Sequence, residues 1–299
     1  MNDGFRYAGG VGRWAGHTLL DYLSRRFKHT DVEGWTRHLN EGRVTVDDAL
    51  VPGDTVLREG QVVTYARAPW EEPEVPKDIE VLFDRGGVVV VNKPAGLPTQ
   101  AGGGFLQNTL VHLLDGAAPV HRLGRWTSGL VVCARDTATG ADLTRQFTSR
   151  TVYKRYRTLA VGTPVTPNFT VRQPIGPVPY PPLGTLHAAS SQGRPACTRV
   201  TVVQQSEGDF LADVVIESGR PHQIRIHMAF AGHPLVGDPL YRAGGLPDPL
   251  GTALPGDAGY RLHAARVRFL HPDGDEVVVD APIPNGLRAY TTPESVRRS

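Results

Sequence analysis

The stretch of sequence that decides the fold is ESGRPHQIRIHMAFAGHPLVGDPLY, residues 217–241. Read with the two-residue period of a strand, Ile224 and Ile226 share one face. Burying the polar side chains of the opposite face is costly unless an anion pairs with them, which indicates a phosphate or carboxylate partner. An edge strand with a solvated polar face is the alternative. That opposite face carries Gln223, Arg225 and His227.

Short apolar runs on both sides of this stretch predict further strands. One helix is predicted over 137–148, where Leu143 and Phe147 lie four residues apart, and a long surface loop is predicted over 244–259. The mixture predicts an α+β domain built on a mostly antiparallel sheet with flanking helices and loops. The predicted strand runs are 81–83, 88–91, 130–134, 156–161, 200–203, 211–216, 224–228 and 267–270.

The N-terminal residues predict a separate small unit. Leucines and a phenylalanine at helical spacing predict a helix over 17–28, and a second short helix follows over 32–39. Alternating residues and turn signals after it predict a β hairpin. Three prolines and three glutamates in RAPWEEPEVPK then predict a stiff exposed linker. The predicted organisation is 1–66 for the small unit, 67–77 for the linker and 78–299 for the main domain.

Composition excludes several classes of protein. Hydrophobic residues make up 40% and charged residues 21%, which excludes a disordered, collagen-like or coiled-coil chain. No apolar run reaches membrane length, the start lacks a signal-peptide core, and two cysteines cannot build a disulfide framework or a cysteine zinc site. A cytoplasmic protein with no membrane, metal or cofactor is therefore expected. The net charge of +2 leaves a nucleic-acid partner open, and 28 of the 32 basic residues are arginine, which grips phosphate.

Common catalytic motifs are missing from the sequence. It has no Walker A pattern, no dinucleotide fingerprint between a strand and a helix, no H-E-x-x-H and no G-x-S-x-G. Polar groups instead cluster beside apolar strands, which is how a sheet commonly presents a site. Besides 217–241, the polar segments are NKPAGLPTQ (92–100), VHRLGRWTSGLVVCARD (120–136), YKRYRTLAVG (153–162) and GYRLHAARVRFLHP (259–272).

Together these segments resemble the RluA-type family of RNA pseudouridine synthases, in the family's order over about residues 78–285. The block at 217–241 matches the family's GR-x-HQIR-x-H…GHP…GD-x-Y pattern nearly residue for residue. In the small unit, HLNEGRVTVDDALVPGDTVLREGQVV (38–63) resembles an S4-like RNA-binding domain, a usual attachment in this family. An ordinary helix–hairpin module is the alternative for that unit.

The resemblance implies a pseudouridine-synthase fold and an isomerase that converts uridine to pseudouridine in structured RNA, with ribosomal RNA as the expected substrate, without cofactor or metal. It implies that Arg122 fills the space of the everted base and that Tyr156 lies against the uracil and assists proton transfer. Arg225 would pair with the family's catalytic carboxylate. The residues to which it gives RNA or base binding are His121, Arg122, Arg220, His222, Gln223, Asn92 and Lys93.

One position departs from the family pattern H-R-L-D-x-x-T-S-G-L. Residues 121–130 read HRLGRWTSGL, so Gly124 occupies the position of the catalytic Asp. Arg225 is then expected to be an unpaired cation beside RNA phosphate. Restoring the Asp is expected to cost stability if Gly124 has a positive φ. Three functions stay open: an isomerase with an atypical site, an RNA-binding protein derived from a synthase, and a protein with no RNA role.

Overall fold

In the computed structural model the chain divides into two compact units, Met1–Glu72 and Pro73–Ser299. The structure describes residues 1–27 and 30–289. The end of the helix predicted over 17–28 and the last ten residues of the predicted domain 78–299 therefore lie outside the described residues. None of the helices within 1–27 and 30–289 combines the length and the apolar character that crossing a bilayer requires.

The first unit packs two helices against a three-stranded antiparallel sheet of order β1-β3-β2. Both helices begin at a polar cap, because Thr18 accepts a hydrogen bond from the amide of Asp21 and Asp31 accepts one from Gly34. The first strand is not predicted from the sequence, since its FRYAGG run carries little apolar alternation. The elements are β1 Phe5–Gly10, α1 Leu19–Arg26, α2 Val32–Asn40, β2 Val44–Val46 and β3 Val62–Arg67.

The second unit is built on a ten-stranded mixed sheet, in which β4-β5-β7-β16-β8-β13-β12-β9 form one path, β17 pairs with β16 and β6 with β7. Two further strand pairs, β10-β11 and β14-β15, lie outside it. This sheet with few helices confirms the predicted α+β class. The strands are β4 Glu80–Arg85, β5 Val88–Lys93, β6 Ala118–Pro119, β7 Thr127–Ala134, β8 Tyr153–Val161, β9 Asn168–Val171, β10 Ile175–Tyr180, β11 Gly184–Ala189, β12 Thr198–Gln205, β13 Asp209–Ile216, β14 Tyr241–Arg242, β15 Leu246–Pro247, β16 Leu262–Leu270 and β17 Glu276–Asp280. The helices are α3 Leu110–Leu113, α4 Thr137–Ser149 and α5 Gln223–Phe230.

The centre of the large sheet is buried on both faces. All four valines of 88–91 are buried, and β7 is buried along most of its length. Such strands read as continuous apolar runs, which is why they are easy to predict. Every predicted strand run except 224–228 lies in a strand, and the helix predicted over 137–148 is α4.

One parallel pair in this otherwise antiparallel sheet joins two of the polar segments. β7 and β16 run side by side, with Leu262 opposite Thr127 and Ala264 opposite Gly129. Gly129 has φ +103, and a Cβ built there would lie 2.2 Å from the carbonyl oxygen of Ala264. Only glycine permits this approach. The pairing brings the HRLGRWTSG segment next to the RLHA segment.

The predicted strand at 224–228 is wrong, because these residues form α5. Ile224 and Met228, four residues apart, pack into the core of the large sheet. Ile226 and Ala229, three apart, pack into a separate core under the β10-β11 hairpin. A helix buried on two sides lacks the single apolar stripe that marks a surface helix, and its isoleucines at i and i+2 imitate a strand. The polar face deduced from strand parity therefore does not exist.

Candidate active site

The polar segments meet at a cleft made of two adjoining cavities with volumes of about 100 and 420 Å³. Both are lined by Arg122 and Gly124 from the loop before β7, and by Arg220 and His222 from the loop before α5. The smaller cavity is lined in part by strand residues of the sheet, and the larger one is lined by loops. Residues nearly 100 positions apart thus form one surface.

Arg122, Tyr156 and Arg225 all line the smaller cavity. They come from the loop before β7, from β8 and from α5, so the sheet and one buried helix together fix their positions. Arg122 is exposed and makes no hydrogen bond or ion pair within residues 1–27 and 30–289. The three side chains to which the resemblance gives roles at the base and the carboxylate therefore lie in one cleft.

Arg225 is not the unpaired cation that the sequence predicts. Its Nε and Nη2 each donate to one carboxylate oxygen of Asp238 at 2.7 Å, and both side chains are almost wholly buried. One Asp238 oxygen also accepts the backbone amides of Leu240 and Tyr241. Asp238 does not line the cleft, and its oxygens are occupied by these bonds. The sequence reasoning missed it, although it is the Asp of the quoted GD-x-Y motif.

Hydroxyl groups surround Gly124, where the family pattern has Asp. A Cβ at this position would lie 3.0 Å from Tyr260 Oη and 3.4 Å from Thr127 Oγ1. Gly124 is not among the positive-φ glycines, so the expected backbone penalty for Asp is absent. A Cβ at this position needs a shift of a few tenths of an ångström in Tyr260 Oη. No Asp or Glu is among the residues that line either cavity.

Tyr156 is a neutral phenol at the base of the cleft. Burial raises its pKa to about 12, so the hydroxyl keeps its proton near neutral pH. This hydroxyl makes no hydrogen bond within the described parts of the chain, which leaves it available to a bound molecule. Its strand β8 pairs with β16, which sets Tyr156 opposite Ala264.

His222 presents a hydrogen-bond acceptor. Its Nδ1 lies 2.7 Å from Tyr241 Oη, and that hydroxyl donates to the carbonyl of His187. Since the tyrosine proton is used there, Nδ1 carries the imidazole proton and Nε2 has the free lone pair. Burial lowers the pKa of His222 to about 3, so the ring is neutral. Its φ of +54 is uncommon for a residue with a side chain and fits a constrained loop at a site.

Gln223 and Lys93 make their hydrogen bonds within the protein, although Gln223 also lines the smaller cavity. Gln223 Oε1 accepts from Ser218 Oγ and from the amide of Arg220, and its Nε2 donates to Cys197 O and Thr198 Oγ1. It thereby holds the loop that carries Arg220. Gln223 is therefore a positioning residue, and its predicted binding of RNA or base stays a prediction.

Lys93 lies at the end of β5 and is fully buried. Its Nζ donates to the carbonyls of Pro94 (2.9 Å), Leu97 (2.8 Å) and Arg125 (3.2 Å), which uses all three of its protons. Burial lowers the pKa of Lys93 to about 7. It fastens two loops to each other, and no proton remains for RNA.

His121 and Asn92 also lie away from the cleft. The ring of His121 stacks on Phe147 with centroids 4.4 Å apart, and its Nε2 accepts the amide of Val132. Burial lowers its pKa to about 3. Asn92 donates to Glu80 and lines a separate cavity of about 510 Å³ with Ser128. Their predicted contact with the base is not compatible with these positions.

The loop predicted over 244–259 folds back onto the cleft. Gly256 O accepts from Trp126 Nε1 at 2.8 Å, Pro255 O lies 3.4 Å from Arg225 Nη1, and Tyr180 Oη donates to Ala253 O at 2.7 Å. Pro255 and Gly256 line the larger cavity. Sequence reasoning missed this wall because its contacts are backbone carbonyls, which carry no side-chain signal.

Comparison with known proteins agrees with this geometry. The sequence profile described as RNA pseudouridylate synthase matches residues 87–230. An uncharacterized RNA pseudouridine synthase of Synechocystis is 39% identical, over 92% of this chain and 96% of that protein. RNA pseudouridine synthase 5 of rice is 35% identical, over 91% of this chain and 84% of that protein. Ribosomal large subunit pseudouridine synthase D of Vibrio vulnificus is 31% identical, over 91% and 87%.

This chain belongs to the RNA pseudouridine synthase family. A solved human structure, RNA pseudouridylate synthase domain containing 1, superposes with a TM-score of 0.57 at 26% identity, covering 76% of this chain and 94% of that one. Membership in this family makes the chain an isomerase. Its substrate class is RNA. Arg122, Tyr156 and Arg225 line the same cavity as Gly124.

Proposed function

We propose that this protein isomerises uridine to pseudouridine in structured ribosomal RNA, with Gly124 in place of the usual carboxylate. The observation that carries the proposal is the shared cleft of Arg122, Tyr156 and Arg225. Relatives named as ribosomal large subunit synthases, from Vibrio vulnificus and Neisseria meningitidis, support ribosomal RNA as the substrate.

The reaction breaks the bond from C1′ to N1, turns the uracil and joins C1′ to C5, while C5 loses a proton and N1 gains one. The uracil leaves with the electron pair, so cations near it stabilise the departing anion. Arg122 and Arg220 supply that charge at the cleft. Tyr156, whose hydroxyl is protonated and has no other partner within the described residues, can relay the proton by giving its own proton to N1 as it accepts the one that C5 loses. The uridine enters by leaving its base stack.

Release of tritium from RNA labelled at C5 of uridine tests the proposal, because the C5 hydrogen leaves in each conversion. The wild-type protein in excess over RNA is expected to release tritium, and Tyr156→Phe to slow the release by about 100-fold or more. Tyr153→Phe is the matched control, since Tyr153 lies on the same strand and outside both cavities. Equal rates for the two variants would remove Tyr156 from the mechanism.

A second function, RNA binding without modification, is favoured by one observation: no carboxylate lines either cavity. Gly124→Asp separates the two functions. If the wild type releases no tritium and the variant does, the protein binds uridine but lacks the acid. If the wild type is already active, the added Asp is not required. If both the wild type and Gly124→Asp bind RNA and neither releases tritium, the result supports the binding function.

We also propose that residues 1–66 form an S4-like RNA-binding domain, joined by the linker 67–77 to the synthase domain 78–299, in a cytoplasmic protein. Two capped helices against a small antiparallel sheet support the first part. Deleting residues 1–72 is expected to weaken RNA binding without abolishing tritium release at high RNA concentration. Unchanged RNA affinity would contradict this role.

A further inference from the structure

A group of arginines beside the cleft lacks acidic partners. We call Arg150, Arg194 and Arg220 the arginine cluster. None of the three has an ion pair within residues 1–27 and 30–289. Arginines near them in sequence do, since Arg145 pairs with Asp142 and Arg199 with Glu217. The lack of acidic partners is therefore particular to the cluster and is not shared by all exposed arginines.

Arg220 connects the cluster to the cleft. It lines both cavities, together with Arg122. Its guanidinium Nε lies 3.4 Å from the carbonyl of Pro195, the residue next to Arg194. The backbone of Arg194 is fixed in turn, because its amide and its carbonyl both bond to Ile175. The side chain of Arg194 is exposed to solvent.

Arg150 supplies the third charge from a different element. It ends α4 with φ +63, a left-handed conformation that stops the helix and turns the chain toward β8. The charges of Arg150 and Arg194 lie close enough to contribute to the lowered pKa of Arg220, after burial. Arg150 also contributes to the lowered pKa of Lys154. Three segments more than 20 residues apart thus bring like charges together.

Holding like charges together without a carboxylate is unfavourable in the free protein. A polyanion removes the repulsion, and guanidinium groups bind phosphate through paired hydrogen bonds. We propose that the arginine cluster binds the phosphodiester backbone of RNA next to the nucleotide held in the cleft. This inference rests on the proposed function, since it takes RNA as the ligand of the cleft.

The salt dependence of RNA binding tests the cluster. Each phosphate contact adds roughly 0.7 to 0.9 to the slope of log affinity against log salt. Between 50 and 200 mM salt, Arg150→Gln and Arg194→Gln are each expected to reduce the wild-type loss of affinity by about threefold. The probe is an RNA hairpin with uridines in its loop, and a fluorescence titration gives the affinity.

Arg145→Gln is the matched control, because it removes the same charge from an exposed arginine of α4 that is already paired with Asp142. It is expected to keep the wild-type slope. Slopes of the Arg150 and Arg194 variants equal to that of the control would overturn the inference. Circular dichroism of each variant confirms that it is folded.

Tritium release separates failure of this inference from failure of the proposed function. Saturating RNA is expected to restore the wild-type rate in Arg150→Gln and Arg194→Gln, with a higher RNA concentration at half-maximal rate. If the wild type is active and neither variant changes the salt slope, only the cluster is refuted. If the wild type binds no RNA at any salt concentration, the proposed function fails as well.

Discussion

The arginines on β8 and β16 are paired with acids, whereas Arg122 and the arginine cluster at the cleft are open. On the sheet, Arg157 lies 2.7 Å from Asp213 and Arg266 lies 2.6 Å from Asp280. At the cleft, Arg122 and the arginine cluster have no carboxylate partner within the described residues. The same side chain therefore serves two purposes, which differ in whether the protein supplies the anion.

This difference corrects an impression given by the sequence. Residues 145–157 hold a dense run of basic side chains that reads as one patch. In the structure Arg145, Arg155 and Arg157 are paired with acids. Arg150 alone among the arginines of this run joins the cleft side, in company with arginines far away in sequence. Whether an arginine is paired with an acid in space, and not how many basic residues lie near it in sequence, distinguishes a ligand site from a set of surface ion pairs.

The largest expected effect comes from the buried pair of Arg225 and Asp238. Asp238→Asn leaves a buried guanidinium without its counter-ion and is expected to lower the free energy of unfolding by about 3–5 kcal/mol. Urea unfolding measures this. Asp280→Asn, in an exposed pair, is the control and is expected to change stability little. Equal effects would mean that burial does not distinguish these pairs.

The next test compares one arginine from each region for its effect on RNA affinity and on stability. Arg220→Gln is expected to weaken RNA binding by about tenfold, because one charged contact is lost, and to leave stability nearly unchanged. Arg157→Gln is expected to lower the free energy of unfolding by about 1 kcal/mol and to leave RNA affinity unchanged. Urea unfolding and RNA titration of both variants check this. The reverse assignment of effects would contradict the comparison.

Stability is also expected to depend on pH through two buried histidines. His121 and His222 have pKa values lowered to about 3, against an ordinary 6.5, mainly by burial. Between these values the unfolded chain binds protons that the folded chain does not, so stability falls as pH drops below 6.5.

Unfolding at several pH values measures that proton uptake. His121→Gln is expected to reduce it by up to one proton. RNA affinity is expected to be unaffected by this variant, since His121 stacks on Phe147 outside the cleft. A loss of RNA affinity in His121→Gln, with stability unchanged, would return His121 to the binding residues.

Much of the fold was predictable because its central strands carry uninterrupted apolar runs. The apolar runs of Val88–Val91 and of β7 predict strands from the sequence alone. The spacing of Leu143 and Phe147 predicts α4. The helix α5 was not predictable, because both its sides are buried in different cores. A period-two pattern then resembles a strand, although the chain is helical.

Arg122, Tyr156 and Arg225, which the resemblance named, line one cavity, while their roles in the reaction stay predictions. The candidate site was not predictable where partners are backbone groups. Nothing in the sequence near Lys93 shows that three carbonyls receive its protons. Asp238 was visible in its motif, but its pairing with Arg225 depends on how α5 packs. Residue types indicate chemistry, while packing decides which of them remain free.

The most direct test of the central claim is mapping of pseudouridine in total RNA from cells with and without this gene. The claim is that the cleft around Arg122, Tyr156 and Arg225 converts uridine without an Asp at 124. It predicts that at least one ribosomal RNA position loses pseudouridine on deletion and regains it with the wild-type gene, but not with Tyr156→Phe. Identical maps with and without the gene would contradict it.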